Sequence, residues 1–219
     1  MTRAQTRASI AEIGIIPAVR LHSAEDALFA AQAVSEGGIP IVEVTMTVPG
    51  AVAVISELVK RNNGTLIVGA GTIFDIETAQ QCLDAGAAFL TTPGLDLEVL
   101  NFALKMGTVV IPGALTPGEI TAAWKAKPDF VKIFPCAQVG GPSYIRALKG
   151  PFPHVPLVAS GGVNQETAKD FILSGAVALG IGRDLIHPNA IKSREHGWIC
   201  ELARRYSVMF KQARSQVGE

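Results

Sequence analysis

Asp129-Phe130-Val131-Lys132-Ile133-Phe134-Pro135 is the stretch from which the chain is read. Apolar, β-prone residues surround one lysine, and a proline ends the run. This composition describes the end of a buried strand, where an ammonium group is costly. Two readings account for Lys132. In one, the side chain snorkels to solvent or pairs with a carboxylate. In the other, burial disfavours the charged form, and the neutral amine attacks a carbonyl to form a Schiff base.

The same pattern recurs on both sides of this segment. A short apolar run ends in Gly, Pro or Thr, and an alanine-rich amphipathic stretch follows. Strands are predicted at Ile15–Val19, Ile41–Thr45, Leu66–Gly69, Ala88–Thr91, Thr108–Ile111, Phe130–Ile133, Leu157–Ala159 and Ala176–Gly180. Helices are predicted at Ala24–Glu36, Ala51–Arg61, Ile76–Asp84, Leu97–Lys105, Pro117–Trp124, Ser143–Leu148, Gln165–Leu173 and Trp198–Gln212. Ser23, Asp75, Asp96, Thr116 and Asn164 are placed as helix caps, and Pro117 suits a first helical position. Gly37-Gly38, Gly86, Gly107 and Gly175 close helices. Strands alternating with helices predict an α/β fold, a single-domain (β/α)₈ TIM barrel over residues 1–219 with an N-terminal helix. A doubly wound open sheet is the alternative, but no GxGxxG follows the first strand.

Composition narrows the function. The 219 residues are 48% hydrophobic and 17% charged, and the formal net charge is +0. No basic block or acidic tail is present, which argues against nucleic acid and membrane surfaces as partners. Cys82, Cys136 and Cys200 are an odd number without CxxC spacing, as expected of a reducing cytoplasm and not of a disulfide framework. Cys136 lies close to Lys132 in sequence and reads either as a reactive thiol or, more simply, as a small buried hydrophobe. His22, His154, His187 and His196 show no HExxH or HxH spacing, so no metal and no cofactor are expected. The start of the chain is polar, and no run is long enough to span a membrane, which points to a cytoplasmic protein.

In a barrel, chemistry gathers where strands end. Those ends carry Arg20, Glu43, Gly69-Ala70-Gly71-Thr72, Thr91-Thr92-Pro93-Gly94, Pro112-Gly113, Lys132, Ser160-Gly161-Gly162 and Gly180-Ile181-Gly182-Arg183-Asp184. Glu43 is the second anomaly, a carboxylate inside the apolar run Ile41-Val42-Glu43-Val44-Thr45. Paired with Lys132 it is either a structural ion pair or the proton shuttle of imine chemistry. The turns Ser160-Gly161-Gly162 and Gly180-Ile181-Gly182 let backbone N–H groups approach a phosphate, with Arg183 adding charge-assisted hydrogen bonds. Phe134 reads equally as a cavity wall or as core packing.

The segments Ile16-Pro17-Ala18-Val19-Arg20, Gly38-Ile39-Pro40-Ile41-Val42-Glu43-Val44-Thr45 and Val68-Gly69-Ala70-Gly71-Thr72-Ile73 form an ordered series. Thr92-Pro93-Gly94, Ile111-Pro112-Gly113, Val131-Lys132-Ile133-Phe134-Pro135 and Ser160-Gly161-Gly162-Val163 complete it. Through this series the chain resembles the 2-keto-3-deoxy-6-phosphogluconate and -galactonate aldolases. The resemblance implies a homotrimeric (β/α)₈ barrel that uses a lysine imine and no metal. It implies Lys132 as the Schiff-base lysine and Glu43 as the general acid/base. Thr72, Pro93 and Phe134 would line a pyruvate pocket, while Gly161, Gly162 and the position of Arg183 would hold phosphate. The implied reaction is reversible cleavage of a 2-keto-3-deoxy-6-phospho sugar acid to pyruvate and glyceraldehyde 3-phosphate.

Three positions depart from the family pattern. Thr47 stands where the gluconate enzymes carry a carboxylate-binding arginine, and Arg20 is the candidate replacement. Ser160 stands where threonine is usual and keeps a hydroxyl. Arg183 stands where a small residue is usual. Three other readings compete: a pyruvate aldolase for an unphosphorylated substrate such as 4-hydroxy-2-oxoglutarate, an idle barrel that only binds a phosphorylated metabolite, and an isomerase barrel with Glu43 as base and no imine.

Overall fold

The computed structural model describes residues 1–217. Nine parallel strand segments run β1 (Ile15–Val19), β2 (Ile41–Thr45), β3 (Ile67–Gly71), β4 (Phe89–Thr91), β5 (Val109–Ile111), β6 (Gly113–Ala114), β7 (Val131–Ile133), β8 (Leu157–Ser160) and β9 (Ala176–Ile181). Their order in the sheet is β5-β4-β3-β2-β1-β9-β8-β7-β6. The two ends of that order are successive parts of one run, broken at Pro112, which has no N–H to donate. β5 pairs with β4 on one side and β6 pairs with β7 on the other, so the run is one stave that closes the ring. Nine segments therefore make eight staves. The predicted barrel is the observed one, and the break at Pro112 is the detail that sequence reading passed over.

Ten helices surround the sheet among the described residues: α1 (Arg3–Ile13), α2 (Ala24–Glu36), α3 (Ala51–Asn62), α4 (Ile76–Asp84), α5 (Leu97–Lys105), α6 (Pro117–Lys125), α7 (Pro142–Lys149), α8 (Ala168–Leu173), α9 (Pro188–Lys192) and α10 (His196–Val217). The caps perform as their chemistry dictates. Ser23 and Asp75 each accept an N–H from the third residue onward, and Asp96 accepts from Glu98 and Val99. Thr116 and Glu119 form a reciprocal capping box, with Pro117 in the first turn.

Two helices differ from expectation. The segment after Asn164 does not enter a helix until Ala168, because the Asn164 side chain accepts the Glu166 and Thr167 N–H groups and stabilises a turn instead. The short α9 was not predicted; its five residues are too few to display a helical period.

The strands are buried on both faces, as β2 and β3 show along their whole length. The N-terminal helix α1 is anchored at the start of β7 by Arg3 and Arg7, whose Nε atoms lie 2.8 and 3.8 Å from the Asp129 carboxylate. None of the described helices is long and apolar enough to cross a membrane.

Candidate active site

Period-two alternation sends Glu43 from β2 and Lys132 from β7 into the barrel interior. Glu43 is buried and Lys132 nearly so. The Lys132 Nζ lies 4.0 Å from Glu43 Oε1, long for an ion pair, and 5.3 Å from the centre of the Phe134 ring. The neighbouring stave makes room for the acid: a Cβ at Gly71 would overlap the Glu43 carboxylate. Gly71 thus belongs to the site through the side chain it lacks, a role its place at the end of β3 does not advertise.

Both charged groups open onto a cavity of about 310 Å³. Arg20, Glu43, Lys132, Phe134, Ser160, Gly161, Gly162, Gly182 and Arg183 all line it. The glycine turn after β8 has φ values of 86° at Gly161 and 80° at Gly162, a region where a side chain is strained. A Cβ at Gly162 would also overlap Ala137. The carbonyls of Ser160 and Gly161 accept N–H bonds from Cys136 and Ala137 at 2.9 and 3.0 Å, which fix this turn against the segment after β7. Asp184, at the eighth strand end, lines the cavity without having been given a role, and Ile186 lines it and was not anticipated. Their signal, adjacency to Gly182-Arg183, was present in the sequence.

Three expected site residues do not line this cavity. Thr47 hydrogen-bonds Thr45 Oγ1 at 2.7 Å, and Thr45 in turn bonds the Val19 carbonyl. Pro93 packs with its backbone against Gly113, in a loop held by Thr92 Oγ1, which donates to Gly94 O and accepts from Gly113 N–H. Thr72 accepts a hydrogen bond from Arg20 Nη2 at 3.3 Å and so touches the cavity through that guanidinium. Its φ of 64° is unusual for a β-branched residue, a strain of the kind that marks functional positions. Among the described residues, neither Arg20 nor Arg183 has a carboxylate within ion-pair distance.

Cys136 is fully buried, and burial pushes its thiol up to about 12. The reactive reading of that residue is therefore corrected to a small buried hydrophobe.

Comparison with known proteins agrees with this architecture. The family model "KDPG and KHG aldolase" matches residues 7–202. A 2-dehydro-3-deoxy-phosphogluconate aldolase of Pseudomonas aeruginosa is 31% identical over 183 residues, 84% of this chain and 82% of the relative. A KHG/KDPG aldolase of Escherichia coli is 29% identical over 190 residues, 87% of this chain and 89% of the relative. The crystal structure of KDPG aldolase from Legionella pneumophila, with pyruvate captured as a covalent carbinolamine, superposes with a TM-score of 0.84. It is 30% identical, with 90% of this chain and 96% of that chain covered.

The barrel is that of the aldolases, a class of aldehyde-lyase. More narrowly, the chain belongs to the KDPG and KHG aldolase family.

Proposed function

We propose that the chain cleaves a 2-keto-3-deoxy-6-phospho sugar acid, of the 6-phosphogluconate type, to pyruvate and glyceraldehyde 3-phosphate. The observation that carries this reading is the Lys132 amine held 4.0 Å from Glu43, with both residues lining one cavity. Lys132 Nζ attacks the C2 carbonyl, Glu43 moves the protons, and loss of water gives the imine. The protonated imine accepts the electron pair of the breaking C3–C4 bond as an enamine. Glu43 takes the C4 hydroxyl proton and later returns a proton to C3. Arg20, steadied on Thr72, supplies the cation for the substrate carboxylate in place of Thr47. Residues 160–162 and Arg183 receive the phosphate.

The phosphate end supports the phosphorylated substrate over 4-hydroxy-2-oxoglutarate, which would leave Arg183 and the glycine turn unused. Steady-state kinetics with both substrates separate the two readings. A higher kcat/KM for the unphosphorylated acid overturns the first. Incubation with pyruvate and borohydride tests the imine itself. An adduct on Lys132 is expected, and folded protein that gains no mass overturns the aldolase assignment of Lys132.

We further propose a homotrimer. Phe74, Ile76 and Leu97, exposed near the strand ends of one flank, supply apolar surface for it. Light scattering should then give three times the 23.0 kDa chain mass, and a monomer mass rejects it.

A further inference from the structure

Away from the cavity, three metal-ligating side chains meet on the outer wall of the barrel. His196 and Cys200 stand one turn apart on α10, and Glu36 is the last residue of α2. Their ligand atoms all lie within 4.8 Å of one another. His196 Nε2 is 3.1 Å from Glu36 Oε2 and 3.9 Å from Cys200 Sγ. Donors around a tetrahedral zinc ion, at metal distances of roughly 2.0–2.3 Å, stand about 3.3–3.6 Å apart. The two His196 separations lie within a few tenths of an ångström of that arrangement, and Glu36 and Cys200 stand within 4.8 Å of each other.

The surroundings orient each ligand. Gln32 Nε2 donates to Glu36 Oε1 at 2.8 Å, which leaves Oε2 for the cluster. Phe29 meets the His196 ring edge-on, with centroids 5.9 Å apart. Cys200 Sγ lies 3.1 Å from the Ala33 carbonyl, which holds it over α2. Closeness of the two helices is enforced at Gly37, where a Cβ would collide with Ala203 and the Cys200 carbonyl. Elements from distant parts of the chain are thus held in register before any ion arrives.

We propose that Glu36, His196 and Cys200 bind one divalent transition-metal ion of the zinc type, with solvent as the fourth ligand. The donor set is one thiolate, one imidazole and one carboxylate, a combination that suits zinc and excludes calcium and magnesium. Binding exchanges the thiol proton for the metal: the S–H bond breaks, an S–metal bond forms, and the proton leaves to solvent. The site ties the C-terminal helix to the barrel wall. Since α2 runs back from the rim that bears the cavity, Glu36 lies toward the opposite end, and the site serves docking of α10 and not the aldol reaction. The sequence could not bring these three together, because the partner of His196 and Cys200 comes from another helix.

Cobalt(II) titration of the purified full-length chain tests this. One equivalent should produce a near-ultraviolet sulfur-to-cobalt charge-transfer band, displaced by zinc, and zinc should raise Tm. Cys200→Ser should abolish the band although Cys82 and Cys136 remain. His196→Ala and Glu36→Gln should each weaken binding at least about 10-fold, the usual penalty for losing a ligand or its orientation. Aldolase activity and circular dichroism should stay at wild-type values in all three variants. Absence of a band in the wild-type protein, or a band that survives Cys200→Ser, overturns the proposal.

Discussion

The short strand β7 has one charged residue just ahead of it and one inside it, and the two behave differently. Asp129 precedes the strand and Lys132 lies within it, with side chains 10% and 12% exposed. At the first, Arg3 bonds the carboxylate at 2.8 Å and Arg7 approaches at 3.8 Å. At the second, the nearest carboxylate is 4.0 Å away and a cavity opens beside the pair. Equal burial therefore does not mean equal function. A carboxylate whose lone pairs are taken up by guanidinium groups secures the fold and has nothing left for a substrate. An amine and an acid held just beyond hydrogen-bond distance leave room for a third molecule to react between them.

Mutation breaks this contrast most sharply at Lys132. Lys132→Met should abolish retro-aldol turnover and the borohydride adduct, read by coupled assay and mass spectrometry, because no other amine lines the cavity as a nucleophile. Glu43→Gln keeps the shape and removes the proton carrier, so kcat should fall about 10²–10⁴-fold while the protein stays folded. Arg20→Ala should raise KM about 10- to 100-fold, as expected for one charge-assisted hydrogen bond, with kcat nearly kept. An unchanged KM removes Arg20 from the carboxylate site.

The charge ahead of β7 sharpens the contrast with smaller effects. Asp129→Asn should cost roughly 1 kcal/mol, or about 2–4 °C in Tm, and leave kcat/KM unchanged. A loss of activity there would mean that the two charges are coupled. Smallest is the Glu119 cap. Hydrogen bonds from the Thr116 N–H and hydroxyl and the Leu115 N–H hold its carboxyl below the ordinary carboxylate range. Its stabilisation is therefore present above that range and lost as pH falls through the depressed folded-state value. The Tm gap between wild type and Glu119→Gln should shrink on acidification from about pH 7 to about pH 3. A constant gap denies the cap its ionic part.

Glu43 and Lys132 were legible because a charge in an apolar, β-branched run is a local anomaly that needs no knowledge of its partner. The glycine turn at 161–162 and the caps at Ser23, Asp75, Asp96 and Thr116 were legible for the same reason, since their chemistry is decided within a few residues. Thr47, Pro93 and Thr72 fared differently. Each sits at a strand end, as a rim residue should, yet Thr47 turns to Thr45, Pro93 packs on Gly113, and Thr72 meets the cavity only through Arg20. Position along the chain names the rim and does not choose which way a loop folds over it.

Strand and helix periodicity, the terminating glycines and prolines, and two misplaced charges were written in the linear order of residues, because each depends on neighbours within a turn or two. Tertiary structure alone closed the ring across the break at Pro112, set 4.0 Å between amine and acid, and gathered Glu36, His196 and Cys200 on the outer wall. Those outcomes depend on how far-separated segments pack, where a shift of one residue in register sends a side chain to the other face of the sheet.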